Sequence, residues 1–283
     1  MPRFTMTHHS RPLALVAALA LTALTATRGA AQRLPLPDGA RTHWVVKAPQ
    51  EIVGYLVFDP ATVAERLPSA LRFISVGELA RGGVSWAAQY LAGAPSRDAW
   101  GVSFVEVVRA DTFTIDGRAP RWPAHGATAL WFARVAPADS TADLGPGVPW
   151  LVLDLWVPDS SYAADMRRLG HYASYGDAKL LEDAHGTWHG SLLTEGLRLA
   201  AACTPSGAES GGPASRGMQA LFPPARSGVS GVVRISFVGH RERTCAEPES
   251  WTLDGTHPLA LAEQVGPSSF EFGYELVGGA YAR

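Results

Sequence analysis

The chain has 283 residues, 47% hydrophobic and 18% charged, with a formal net charge of −2 at neutral pH. That balance suits a packed globule and not a disordered chain. It supplies no basic surface for a polyanion, so nucleic-acid binding is set aside.

The N-terminus opens on Arg3, His8, His9 and Arg11, followed by an apolar run from Leu13 to Ala26 and the small residues Gly29, Ala30 and Ala31. A spanning helix needs roughly 20 apolar residues, so the run is short for a membrane anchor, the competing reading. A basic start, a short apolar core and a small-residue exit are the parts of a secretory signal. Residues 1–31 are therefore expected to be a cleaved signal peptide, and residues 32–283 a single domain, secreted or periplasmic, with no stable membrane anchor. Cys203 and Cys245 are the only cysteines, and an even count in an oxidising compartment favours a disulfide over two unpaired buried thiols. Closing a loop of about 42 residues would stabilise the fold by roughly 4 kcal/mol on a chain-entropy basis.

In chain order, 33–41 reads as a leader and Ile52–Phe58 as a strand. Asp59 and Pro60 supply a cap and a first-turn proline for a short helix from Ala61 to Leu67. Apolar runs predict strands at Leu71–Leu79, Val84–Leu91, Val102–Ala110, Thr128–Val135 and Trp150–Val157. Asp159 caps a second helix, Tyr162 to Leu169, stopped at Gly170. Further strands follow at Ala178–Leu181, Thr187–Ala202, Val229–Val238 and Phe270–Val277, with a flexible loop from Gly207 to Arg216. Many strands and few short helices predict a mainly β, β-rich α+β chain, folded as a closed antiparallel barrel. The absence of βαβ alternation and of a glycine-rich phosphate loop disfavours a nucleotide-binding fold.

Of 24 Lys+Arg, only Lys47 and Lys179 are lysine. Arginine cannot replace a lysine whose chemistry depends on losing a proton, which singles out those two positions. Lys179 lies in Gly170-His-Tyr-Ala-Ser-Tyr-Gly-Asp-Ala-Lys179-Leu180, after a capped helix and before a strand and its partner. Together with Trp100-Gly-Val-Ser-Phe-Val-Glu106, Asp254-Gly-Thr-His257-Pro-Leu-Ala-Leu261 and the strand, helix and Leu-Pro layout of Tyr55 to Pro68, this stretch resembles the acetoacetate decarboxylase family. The resemblance implies a cone-shaped β barrel around an apolar pocket, a homo-oligomer, and a small carbonyl or apolar ligand.

It also implies catalytic roles for Lys179 and Glu106, with Tyr175, Phe104 and His257 lining the pocket. Acetoacetate decarboxylase is the standard example of a lysine activated by its surroundings for imine formation. An imine on Lys179 would act as an electron sink for a lyase acting on a β-keto acid or related carbonyl compound, with Glu106 as acid–base group. The sequence departs from the family at Asp177, Ala178 and Leu180 around the lysine, and lacks the pocket arginine near Val53 and the first pocket glutamate near Trp86 or Ala87. The alternative is a non-catalytic binding barrel, in which Lys179 is a solvated residue paired with Glu182 or Asp183, and Glu106 belongs to a structural ion pair. No cofactor or metal is expected, because His185 and His189 lie in a strand or turn, where four residues extend about 13 Å.

Overall fold

In the computed structural model of the chain, the described residues are 42–115, 117–119, 126–139, 148–168, 173–211, 216–222, 231–246 and 250–282. The expected signal peptide and Gly170 lie outside them.

Strands β1 (Thr42–Lys47) and β2 (Gln50–Phe58) lead into a 3-10 segment, Pro60–Arg66. Asp59 caps that segment, accepting the Ala61 N–H at 3.0 Å. Next come β3 (Leu71–Phe73), α1 (Val76–Arg81), α2 (Ser85–Gly93), β4 (Gly101–Arg109) and β5 (Thr112–Ile115). Two long strands follow, β6 (Ala127–Pro137) and β7 (Val148–Val157), then helix α3 (Ser160–Arg168). The second half contains β8 (Ser174–Tyr175), β9 (Asp177–Glu182), β10 (Trp188–Leu193), β11 (Leu197–Cys203), β12 (Pro205–Gly211) and β13 (Arg216–Phe222). It ends with β14 (Gly231–Val238), β15 (Arg241–Cys245), β16 (Ser250–Gly255), β17 (Glu263–Gln264), β18 (Ser269–Phe272) and β19 (Glu275–Ala282).

Fifteen of these strands form one sheet, ordered β12-β15-β18-β2-β4-β6-β7-β13-β14-β19-β1-β5, with β17 beside β2, β3 beside β6 and β8 beside β7. Strands β16-β11-β10-β9 form a second sheet of four. Pairing is antiparallel except where β13 and β8 run parallel to β7. The mainly β expectation holds, but the expected closed barrel is corrected: among the described residues neither sheet closes. The edges explain why. Strand β12 contains Pro205 and Gly207 and slips register between Ser206 and Ser210, a bulge of the kind that ends strand pairing.

The central strands are buried on both faces, which accounts for their nearly unbroken apolar runs. Toward the small sheet, Ile52, Leu56 and Phe58 of β2 and Val105 and Val107 of β4 join Trp131. They share one core with Ala178, Leu180, Leu192 and Leu199. On the opposite face, which we call the inner face, Val53, Phe104, Phe132, Trp150 and Val152 pack with Ala163 and Met166 of α3. Cys203 at the end of β11 and Cys245 at the end of β15 form the expected disulfide, which ties the two sheets together. Among the described residues, no helix is long and apolar enough to cross a membrane.

Several expected boundaries shift for local reasons. The strand expected over Leu71–Leu79 stops at Phe73, because Ser75 and Glu78 form a reciprocal capping box that starts α1. The strand expected over Val84–Leu91 is helix α2, whose Trp86, Ala87, Tyr90 and Leu91 pack with Val57 and Val102. The strand expected over Thr187–Ala202 is a hairpin, turned where Thr194 Oγ1 accepts the Gly196 and Leu197 N–H groups at 3.3 and 2.9 Å. Part of the loop expected from Gly207 is the edge strand β12. The strand expected over Phe270–Val277 breaks at Gly273, whose φ of 70° is a left-handed conformation that favours glycine.

Candidate functional site

The inner face holds a row of acids. Glu242 of β15, Glu271 of β18 and Glu51 of β2 stand directly opposite one another across three adjacent strands. Like charges in such register repel, and Glu51 and Glu242 are both buried. Glu106 of β4, in register with Val53, extends the group and hydrogen-bonds Glu51.

The partners around the row sort its protons. His240 Nε2 contacts Glu271 Oε2, and Ser269 Oγ donates to Glu271 Oε1 at 3.3 Å. The Tyr274 hydroxyl donates to Glu51, and Ser210 Oγ donates to Glu242 at 2.8 Å. Burial works to raise Glu271, but the bond to His240 and its charge outweigh that, so Glu271 ionises below the usual carboxyl range. Glu51 is pushed well up, first by burial and then by the charges of Glu106 and Glu271. Glu106 is raised to about 8, again by burial first and by Glu271 second. At neutral pH the group therefore holds an ionised Glu271 beside a mostly protonated Glu106, and the surroundings of Glu51 favour its neutral form.

Desolvation dominates the ionisation of Glu106, Tyr55 and Tyr162, yet each keeps accessible surface, whereas Glu51 is sealed at 3% exposure. Burial also holds the Tyr55 phenol well above its ordinary pKa, so it stays a hydrogen-bond donor. His240, Glu242 and Glu271 bring ligand atoms within 4.8 Å of one another, one imidazole and two carboxylates of a type that suits a divalent cation.

The sequence-predicted site residues do not assemble. Glu106 and Phe104 are on the inner face. Lys179 faces solvent, 58% exposed, with Nζ 2.8 Å from Asp177 Oδ2. That hydrogen bond and the Asp177 charge raise its pKa, the reverse of what imine formation requires. Strand alternation is the cause: Ala178 and Leu180 take the core-facing positions of β9 and leave Lys179 outside. Its carboxylate partner is Asp177, not Glu182 or Asp183. Tyr175 is also solvent-exposed, at 60%. His257 lies on the small-sheet side, edge-on to Trp131 and Trp156, where Nδ1 accepts the Leu259 N–H at 3.2 Å and Nε2 lies 3.4 Å from Asp154. His189 Nε2 lies 3.0 Å from Asp183 Oδ2. Sequence reasoning missed Glu51, His240, Glu242 and Glu271. The available signals were the His-x-Glu pair at 240 and 242 and a lone acid between Phe270 and Phe272.

No family model and no curated protein matches the chain. Solved structures do match. Acetoacetate decarboxylase from Legionella pneumophila is 11% identical, with 97% of each chain covered and a TM-score of 0.53. An acetoacetate decarboxylase-like enzyme from Sphingomonas wittichii RW1 is 16% identical, with 90% of this chain and 99% of that one covered and a TM-score of 0.51. The enduracididine biosynthesis enzyme MppR, complexed with the condensation product of pyruvate and imidazole 4-carboxaldehyde, is 13% identical, with 85% and 88% covered and a TM-score of 0.50. At these identities the likeness is one of fold, and the chain has the acetoacetate decarboxylase-like fold.

Proposed function

We propose that the chain is an exported protein of this fold that binds a small carbonyl compound at the inner face and moves a proton on it with Glu106. One observation carries the reading: a carboxyl group held at about 8 keeps some accessible surface on the inner face, while the candidate lysine stands in solvent. A group that titrates near neutral pH both takes and returns protons efficiently. In its ionised form Glu106 removes a proton from the carbon beside the carbonyl, and the electron pair moves to the carbonyl oxygen. The Tyr55 hydroxyl, on the same face, donates a hydrogen bond to that oxygen. Returning the proton to carbon restores the ketone. In a β-keto acid, departure of CO2 in place of that proton would send the C–C pair to the carbonyl oxygen and give the same enolate, which protonated Glu106 then protonates on carbon, and that route would make the protein a lyase. Neither route passes through an imine.

The test is solvent deuterium exchange at the carbon beside the ketone of acetoacetate and longer oxo acids, followed by NMR. Glu106→Gln should slow exchange at least 100-fold, within the range usual for loss of an acid–base group. Borohydride reduction in the same mixtures should leave no adduct on Lys179. Exchange that survives Glu106→Gln, or a trapped adduct on Lys179, would overturn the reading. Exposure of Lys179 also suits a binding barrel that does no chemistry. That second reading predicts ligand binding with no exchange in the wild type.

A further inference from the structure

Among the described residues, the cation Arg134 on the inner face has no carboxylate beside it. Arg134 of β6 stands in line with Leu130 and Phe132 and directly opposite Trp150 of β7, whose ring centroid lies 5.8 Å from the guanidinium carbon. Arg134 is partly buried, and burial by itself pulls its guanidinium below the ordinary range, with no carboxylate opposing the shift. Among the described residues, Arg66 and Arg97, also partly buried, each have a carboxylate, Asp154 and Glu263, the latter at 2.6 Å, and Arg109 at least donates to the neutral amide of Gln50 at 2.6 Å. A desolvated charge without a partner costs stability, and an apolar side chain of similar length would cover Trp150 as well. Arg134 at this position makes physical sense if a ligand supplies the anion.

The inner face also sets the size of that ligand. Leu130, four positions back along β6, is paired with Glu106 of β4. At the usual rise of a strand, Arg134 and the Glu106 level are roughly 13 Å apart. Between them Phe104 and Phe132 stack at 4.5 Å, and Phe104 meets Trp150 edge-on at 4.7 Å. A cation, an apolar aromatic lane and a proton-transfer group thus follow one another along a single face. We propose that Arg134 anchors the carboxylate of an elongated oxo acid. Its apolar chain lies along Phe104 and Phe132, and its carbonyl reaches Glu106. The guanidinium fork matches a carboxylate in geometry as well as charge. Only the far end of this arrangement rests on the acid–base reading of Glu106. Pyruvate and acetoacetate are too short to touch both ends.

The test is calorimetric titration of the mature, disulfide-bonded protein with octanoate, neutral octanamide and short butyrate. Octanoate should bind about tenfold more tightly than either of the others, a difference of roughly 1.4 kcal/mol. Arg134→Gln should remove the preference for octanoate over octanamide, Lys179→Gln should keep it, and Arg134→Gln should melt no lower than wild type. Equal binding of octanoate and octanamide, a preference that survives Arg134→Gln, or no octanoate binding would each overturn the anchor. Deuterium exchange beside the ketone of 7-oxooctanoate reads the other end separately. Octanoate preference without exchange keeps the anchor and ends the acid–base reading; exchange without octanoate preference does the reverse.

Discussion

At the scale of single residues, the chemistry follows from which side chains share a face, and alternation along a strand decides that. Val102 to Ala110 read as a strand with Glu106 beside Phe104 on one face, and both do lie on the inner face. The same logic was available for Lys179, since Ala178 and Leu180 are the apolar members of its strand and leave the lysine outward. Its rarity in an arginine-rich chain pointed elsewhere, and rarity contains no geometry. Glu51 and Glu271 were invisible as a pair, because only the register of β2 with β18 brings them together. Their effect should appear in the pH dependence of stability. Glu106 keeps its proton up to about 8 in the fold but releases it near 4.3 in an unfolded chain. Between those values the folded chain binds more protons, so this contribution is complete below the unfolded pKa and is lost as pH rises through about 8. The raised Glu51 acts in the same direction, and the lowered Glu271 acts in the opposite one, losing its contribution as pH falls. Calorimetry from pH 5 to 8.5 should therefore show a falling Tm that Glu106→Gln flattens. An unchanged slope in that variant would mean that Glu106 titrates normally.

At the scale of elements, apolar periodicity located most strands but misassigned those whose neighbours define them. Val84 to Leu91 is apolar enough for a strand, and it is a helix that covers Val57 and Val102, paired across the central strands β2 and β4. The sheet-to-sheet contact has its own demand at Gly54. A Cβ there would lie 2.6 Å from the Trp251 ring, and Trp251 is held in place by the bond from its Nε1 to Ser268 Oγ at 2.7 Å. Neither partner can move without disturbing the packing of β2 on the small sheet. Gly54→Ala should destabilise by about 1–3 kcal/mol, the usual cost of overpacking a core. At roughly 2–4 °C per kcal/mol for a domain of this size, the loss is readable as a lower Tm. A variant that melts with the wild type would show that the two sheets slide apart easily.

At the scale of the whole molecule, the architecture is two sheets and one covalent tie. The composition pointed to many strands in one domain, but closure depends on whether β5 and β12 meet, which no local pattern encodes. Among the described residues they remain edges, so the large sheet holds its form through what packs on it. The four-stranded sheet shares a core with β2, β4 and β6, and the Cys203–Cys245 disulfide joins that sheet to β15. Strand β15 also places Glu242 against Glu271. The cross-link thus bears on the site as well as on stability. If the chain is exported, as its first thirty-one residues suggest, the bond forms in an oxidising compartment. The mature chain made in a reducing cytosol, or the paired Cys203→Ser and Cys245→Ser variant, should then lose about 4 kcal/mol from the entropy of the opened loop. Denaturant titration of the oxidised and reduced forms measures that loss directly. Packing alone would be sufficient if the two midpoints coincided. If the reduced form also loses the elevated titration of Glu106, the disulfide holds the register of the acid row, because β15 and β18 would no longer be fixed against the small sheet.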